Sequence, residues 1–207
     1  GSSGNYALGT RGDTSTSTLI VYSPTNKVLF QWNCAYEYIT SIALSSNGKF
    51  VGVASVGAEN GDVFTNVDYF GFDYQEPLNS QRLNTTAAFG LEFTAVNTLT
   101  LFSDTGVYTV EKKGEEAKKI CEYYSSEFNS FDYSQSGKYI IALARYGSSN
   151  DFLITVYSSK GKEKAVIETD YKIKSVTMSE KYIFALAENT IIVYNLSGRK
   201  ITQIDVK

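Results

Sequence analysis

FNSFDYSQSGKYIIALARYGSSNDFLITVYSSKGKEKAVIETD, residues 128–170, holds four short apolar runs separated by polar turns. The runs fall at 128–133, 139–144, 152–157 and 165–169, and they are rich in Tyr, Phe, Ile and Val. Gly, Ser, Asn and Asp stand between them, residues that reverse a chain by left-handed backbone angles or local side-chain hydrogen bonds. The stretch predicts four strands joined by tight connections.

The same blocks recur along the chain. Ser45-Ser46-Asn47-Gly48-Lys49-Phe50 matches Ser134-Gln135-Ser136-Gly137-Lys138-Tyr139, and Gly48 and Gly137 stand 89 residues apart, two strides of about 44. Gly4-Asn5-Tyr6 repeats the turn one stride upstream, and Ser179-Glu180-Lys181-Tyr182 repeats it in shortened form. A second block, an aliphatic strand ending in Tyr before a turn to a basic residue, appears three times. It reads Ile20-Val21-Tyr22 to Lys27, Thr155-Val156-Tyr157 to Lys162, and Ile192-Val193-Tyr194 to Arg199. A four-stranded unit repeated every 40–45 residues is the pattern of a β-propeller blade. The expected fold is therefore all-β, a propeller of four-stranded antiparallel blades. About five blade positions are read, at about 4–34, 35–84, 85–124, 125–170 and 171–207, the first lacking its inner strand. The short start reads as one propeller domain or fragment, an arc of a larger ring.

These blocks resemble the blades of WD-repeat-like and quinoprotein-like propellers. The turn from Ser45 to Phe50 and the turns from Tyr22, Tyr157 and Tyr194 carry the likeness. The chain departs from the WD-repeat pattern in having no Trp-Asp pair, and from the quinoprotein pattern in having a single tryptophan, Trp32. The nearest overall likeness is to membrane-anchored propeller proteins of unknown function from Gram-positive gut bacteria. That resemblance implies an extracytoplasmic, bacterial cell-surface setting, with any anchor in a longer parent, and implies no activity.

A net charge of −3 gives no basic field for a polyphosphate, so nucleic acid is not an expected partner. No apolar run reaches the roughly 18–20 residues that span a bilayer, and no membrane contact by this segment is expected. Lys112, Lys113, Lys118 and Lys119 alternate with Glu111, Glu115, Glu116 and Glu122 and read as a solvated outer strand. Cys34 and Cys121 fall on outer strands of non-neighbouring blades, too far apart for a disulfide.

The chain contains no histidine, which removes His-dependent nucleophile systems and the ordinary neutral-pH base. Carboxylate-only chemistry on a glycan remains open, because it needs two Asp or Glu side chains flanking a sugar. Asp13, Glu37, Glu59, Asp62, Glu127 and Asp151 are its candidates, and no spacing selects two of them. Arg11-Gly12-Asp13 matches an adhesion tripeptide but consists of ordinary turn residues. The oxygen-rich residues 59–62 do not match a calcium loop. No catalytic, metal-binding or cofactor-binding residue is assigned, and no cofactor is expected.

In a propeller, loops from second to third strands share a face with the links between blades. Residues 11–18, 56–66 and 145–151 are the long loops of that face, and 33–38, 123–127 and 170–171 are its links. Exposed tyrosines held on such loops suit recognition. The ligand-face candidates are Tyr36, Tyr38, Glu59, Asp62, Tyr123, Tyr124, Arg145, Tyr146 and Tyr171. The expected role is a non-catalytic scaffold that binds a protein or a glycan, with glycan hydrolysis or lysis by carboxylates as the alternative. Bare sheet edges at the ends predict edge pairing or a dimer.

Overall fold

In the computed structural model, which describes residues 3–11, 15–122, 127–134, 138–145 and 152–206, every regular element among the described residues is a β-strand. The chain folds as two units, Gly1–Lys119 and Ile120–Lys207. In the first unit β1 (Tyr6–Thr10), β2 (Ser17–Tyr22) and β3 (Val28–Cys34) form a three-stranded sheet in that order. A second sheet follows from β4 (Tyr38–Leu44), β5 (Phe50–Glu59), β6 (Asp62–Gly71) and β7 (Asn79–Asn84). A third is built from β8 (Ala88–Ala95), β9 (Thr98–Ser103), β10 (Gly106–Glu111) and β11 (Lys118–Glu122), and the first unit ends within β11.

The second unit holds two sheets, each in chain order. The fourth sheet comprises β12 (Glu127–Tyr133), β13 (Tyr139–Arg145), β14 (Phe152–Ser158) and β15 (Glu163–Thr169). The fifth comprises β16 (Ser175–Met178), β17 (Tyr182–Leu186), β18 (Thr190–Asn195) and β19 (Lys200–Asp205). One three-stranded and four four-stranded sheets match the fold class read from the repeat. No helix of the described residues is long and apolar enough to cross a membrane.

Burial explains why the inner strands read as continuous apolar runs. Val51, Val53 and Phe70 of the second sheet pack with Leu19, Val21 and Phe30 of the first. Ala54, Val67 and Tyr69, on the opposite face, pack with Leu91, Leu99 and Leu101 of the third. A sheet covered on both sides needs apolar residues at successive positions, so alternation disappears from β5. Within the second unit, Ile154, Val156 and Ile167 meet Ile183, Ile192 and Tyr194. The faces turned away from these cores are half open: Leu8 is 48% exposed on the first sheet and Ile204 is 52% exposed on the fifth.

One turn geometry accounts for the second repeat. Between Val21 and Tyr22, Val156 and Tyr157, and Val193 and Tyr194 the strand register shifts by one residue, a β-bulge. The next residue, Ser23, Ser158 or Asn195, closes the turn with its backbone N–H on the carbonyl of Lys27, Lys162 or Arg199, at 2.8–3.0 Å. Its side-chain oxygen accepts the backbone N–H of that same basic residue, at 2.9–3.1 Å. The residue before the basic one takes φ of 64° in Asn26, 77° in Gly161 and 84° in Gly198. Only Gly and Asn enter that region cheaply, which is why the position holds nothing else. The first repeat works through Ser45, whose buried hydroxyl accepts the N–H of Phe50 at 3.0 Å. Ser179 does the same for Tyr182 at 3.0 Å.

The stretch 56–66 corrects the sequence reading. It is not a long loop. β5 and β6 run on past the neighbouring sheets to Glu59 and Asp62, paired throughout, and turn on Asn60 and Gly61 alone. Asn60 has φ 54° and Gly61 φ 90°, the pair of left-handed residues that a two-residue hairpin requires.

Gly198→Ala places a Cβ in the left-handed region, 3.2 Å from Ile167 Cγ1. We expect a loss of about 1 kcal/mol, seen as a fall of roughly 2–4 °C in the thermal midpoint. Gly198→Asn should lose less than half of that.

Candidate functional site

The β3–β4 link, residues 35–37, is short and tied down at both ends. Thr16 Oγ1 donates to the carbonyl of Ala35 at 2.8 Å, and the Ile39 N–H donates to Ser17 Oγ at 3.2 Å. Between these anchors the Glu37 carboxylate takes two bonds, from the Cys34 thiol to Oε2 and from Asn66 Nδ2 to Oε1 at 3.1 Å. The backbone is thereby fixed while the tyrosine rings are left in solvent. Tyr36 is 87% exposed and Tyr38 is 60% exposed. Large rings held open on a fixed backbone lose little conformational freedom on contact, the property of an anchoring residue in an interface.

Beneath the link lies a polar patch on one face of β5 and β6. Ser55 pairs with Asn66 and Val53 with Asp68, so these side chains share a face. Asp68 is buried, only 7% exposed. Its desolvation outweighs a hydrogen bond from Ser80 and adds to the nearby Glu37 charge, and together they push its pKa up to about 6. The buried Ser55 Oγ makes no hydrogen bond among the described residues. Burial and the bond to Glu37 push the Cys34 thiol up to about 11, so it stays protonated and poorly nucleophilic at neutral pH. Neither Cys34 nor Cys121 is in a disulfide, and both are buried. The group in this patch that can exchange a proton near neutrality is therefore Asp68.

Glu59 and Asp62, expected on a long loop, flank the Asn60-Gly61 turn at the tip of the β5–β6 hairpin. Glu59 is engaged by an ion pair with Arg82, whose guanidinium also lies 3.7 Å from the centre of the Phe64 ring. These residues, with Asn84 and Thr85, surround a recess of about 180 Å3. Both partners of the ion pair are largely exposed, so it adds little stability.

In the second unit Tyr171 follows β15, and its ring forms part of a cleft of about 660 Å3. Its hydroxyl donates to Gln203 Oε1 at 3.2 Å, and the same oxygen accepts from Lys200 Nζ at 2.8 Å. Lys200 Nζ also lies 5.3 Å from the centre of the Tyr171 ring. Phe152, Ile167 and Tyr194 supply buried apolar surface, while Glu168 and Asp170 are exposed. A cleft of this size, lined by polar and apolar groups in about equal measure, is of ligand-binding dimensions.

Arg145 is the last residue of β13 and pairs in register with Glu127 and Phe152, not in a loop as expected. Tyr123, Tyr124, Tyr146, Asp13 and Asp151 lie outside the described residues. No group of three or more His, Cys, Asp or Glu side chains is placed to hold a metal ion among the described residues. The structure joins Glu37 to Cys34 and Asn66, with its charge felt at Asp68, and Tyr171 and Lys200 to Gln203. Ser55, Phe152 and Tyr194 escaped sequence reasoning because each sits within a strand and looks like core.

Comparison with known proteins adds the fold and a family. The model of a family described as "Family of unknown function (DUF5711)" matches residues 2–207. No curated protein matches the chain in sequence. Among solved structures, the Dos1 propeller superposes with a TM-score of 0.65 at 15% identity, over 92% of this chain and 54% of that one. The chain thus spans about half the length of that propeller. The Swd1 β-propeller domain of Myceliophteria thermophila Cps50 gives 0.62 at 13% identity, over 96% of this chain and 68% of that one. Raptor from Chaetomium thermophilum gives 0.71 at 10% identity, over 96% of this chain and 19% of that one. At these identities the likeness establishes the β-propeller fold.

The raised Asp68 pKa has a definite consequence for stability. The folded state holds the Asp68 proton up to about pH 6, whereas the unfolded chain releases it near 4. The folded state therefore binds more protons between these values, and this contribution is full below pH 4 and lost as pH rises through 6. Asp68→Asn should be more stable than the parent at pH 7.5, by on the order of 2 kcal/mol, with the difference shrinking toward pH 4. Urea unfolding at pH 4, 6 and 7.5 measures it, and a difference independent of pH would contradict the assignment.

Proposed function

The chain belongs to the DUF5711 family of unknown function, and we propose that it is a non-catalytic recognition scaffold that binds a protein or glycan through exposed tyrosines. The observation that carries this reading is the β3–β4 link, with Tyr36 and Tyr38 open to solvent on a backbone held by Ser17, Thr16 and Glu37. The propeller fold supports it, since blades hold such links rigidly and vary them freely. We place the protein on the extracytoplasmic side of a bacterial membrane, a setting that rests on the resemblance of its repeat to membrane-anchored propeller proteins. The half-open faces of the first and fifth sheets support pairing with a second copy, which light scattering across a concentration series would register as a rising mass.

A second reading, carboxylate-based cleavage of a glycan, draws on Asp68, which holds a proton to about pH 6 beside Glu37. Its weakness is access, because Asp68 is buried under the link. Turnover of cell-envelope polysaccharides that is abolished in Asp68→Asn would establish it.

For the scaffold, the parent chain and a Tyr36→Ser/Tyr38→Ser variant are compared against arrays of cell-envelope glycans and bacterial surface proteins. We expect binders of the parent to lose at least about tenfold in affinity in the variant, as for a central aromatic anchor. The thermal midpoint should stay unchanged, since both rings are exposed. Binders that keep full affinity would refute the assignment of this link.

A further inference from the structure

We infer that the cleft of the second unit binds an extended peptide, which adds along the free edge of β15 and presents an apolar residue next to a basic one. This site is independent of the Tyr36 and Tyr38 link. β15 is the outermost strand of the fourth sheet, with β14 on one side and no strand on the other among the described residues. Ile167, Glu168, Thr169 and Asp170 line the cleft in succession. Successive side chains of a strand point to opposite faces, so four consecutive residues bring main chain as well as side chains to the cleft wall. A strand edge opening into a cleft is a template for one more strand, whose alternate side chains fall into the space beside it.

The lining sets the chemistry of the occupant. Phe152, Ile167 and Tyr194 offer an apolar floor that takes an aliphatic or aromatic side chain. At the rim the ammonium of Lys200 is already engaged by Gln203 Oε1 and the Tyr171 ring. Glu168 and Asp170 are exposed and make no ion pair among the described residues, so the rim attracts a cation. A sugar suits the cleft less well. Tyr171, the most exposed ring of the lining, is faced by an ammonium, which takes up the aromatic face on which a pyranose would stack.

The test starts from a display library of random dodecapeptides selected on the whole chain, followed by synthesis of the most enriched peptide. We expect enriched sequences to share an apolar–basic pair and the synthetic peptide to slow amide exchange across residues 166–170. N-methylation of its alternate backbone amides should cost at least tenfold in affinity, because strand addition needs those N–H groups. Glu168→Lys/Asp170→Lys should also cost at least tenfold, at surface positions that leave the fold intact, while Tyr36→Ser/Tyr38→Ser should cost nothing. The inference is overturned if the library yields no binder, if the N-methylated peptide binds as well as the parent peptide, or if exchange slows elsewhere. It is equally overturned if a cell-envelope oligosaccharide, and no peptide, protects residues 166–170. Loss in the Tyr36/Tyr38 variant alone would support the scaffold reading and remove this one.

Discussion

Each sheet in this chain is too thin to have a core of its own, and the structure depends on sheets covering one another. The second sheet shows the constraint most fully. Val51, Val53 and Phe70 are closed off by the first sheet, and Ala54, Val67 and Tyr69 by the third. A strand so placed has no polar side to give away, which forces the unbroken buried run from Val51 to Ser55 in β5. The outermost strands are under no such demand. β7 keeps strict alternation and β19 is exposed along its whole length, so charge and polarity collect there. The gradient from apolar inner strands to polar outer strands follows from coverage alone.

Once coverage fixes the strands, the connections must reverse the chain without leaving polar backbone groups unpaired. The chain solves this the same way several times. Ser23, Ser158 and Asn195 each turn a side-chain oxygen onto the N–H four residues on, and Asn26, Gly161 or Gly198 supplies the left-handed residue that lets the bulge close. A buried serine, Ser45, does the corresponding work between β4 and β5. These turns are conserved within the chain because their geometry is demanding. The links between sheets face no equivalent demand, and there the residue choice is free to serve contact with something else.

The same division decides what could be read from sequence. The repeat carried the number of sheets and the strand order within them, since both follow from apolar runs and turn residues. The β5–β6 hairpin was misread because Gly57, Ala58 and Glu59 look like loop, although Asn60-Gly61 was a sufficient signal for a two-residue turn. The polarity of Asp68 was visible, but its burial was not. Burial is set by what packs on a strand from elsewhere in the chain, as Glu37 does on Asn66 from 29 residues away. The cleft beside β15 was invisible for a related reason. Phe152, Ile167 and Tyr194 are ordinary strand residues, and only their convergence makes a cavity. Tyr171 was found because it stands in a link, where a large ring has no core to fill.

The two units separate two uses of polar groups in a propeller. In the first, Glu37 is spent on structure: it holds Cys34 and Asn66, while burial, with the Glu37 charge adding to it, keeps a proton on Asp68. A carboxyl that stays protonated by burial contributes to the fold at low pH and is a poor partner for an external ligand, which it meets only if the link opens. In the second unit Gln203 satisfies Tyr171 and Lys200 together, and Glu168 and Asp170 are left to solvent beside a strand edge. Internal saturation of the cation and freedom of the two anions give that cleft a sign. A closed polar cluster tunes stability, whereas an open one beside unpaired main chain selects a partner.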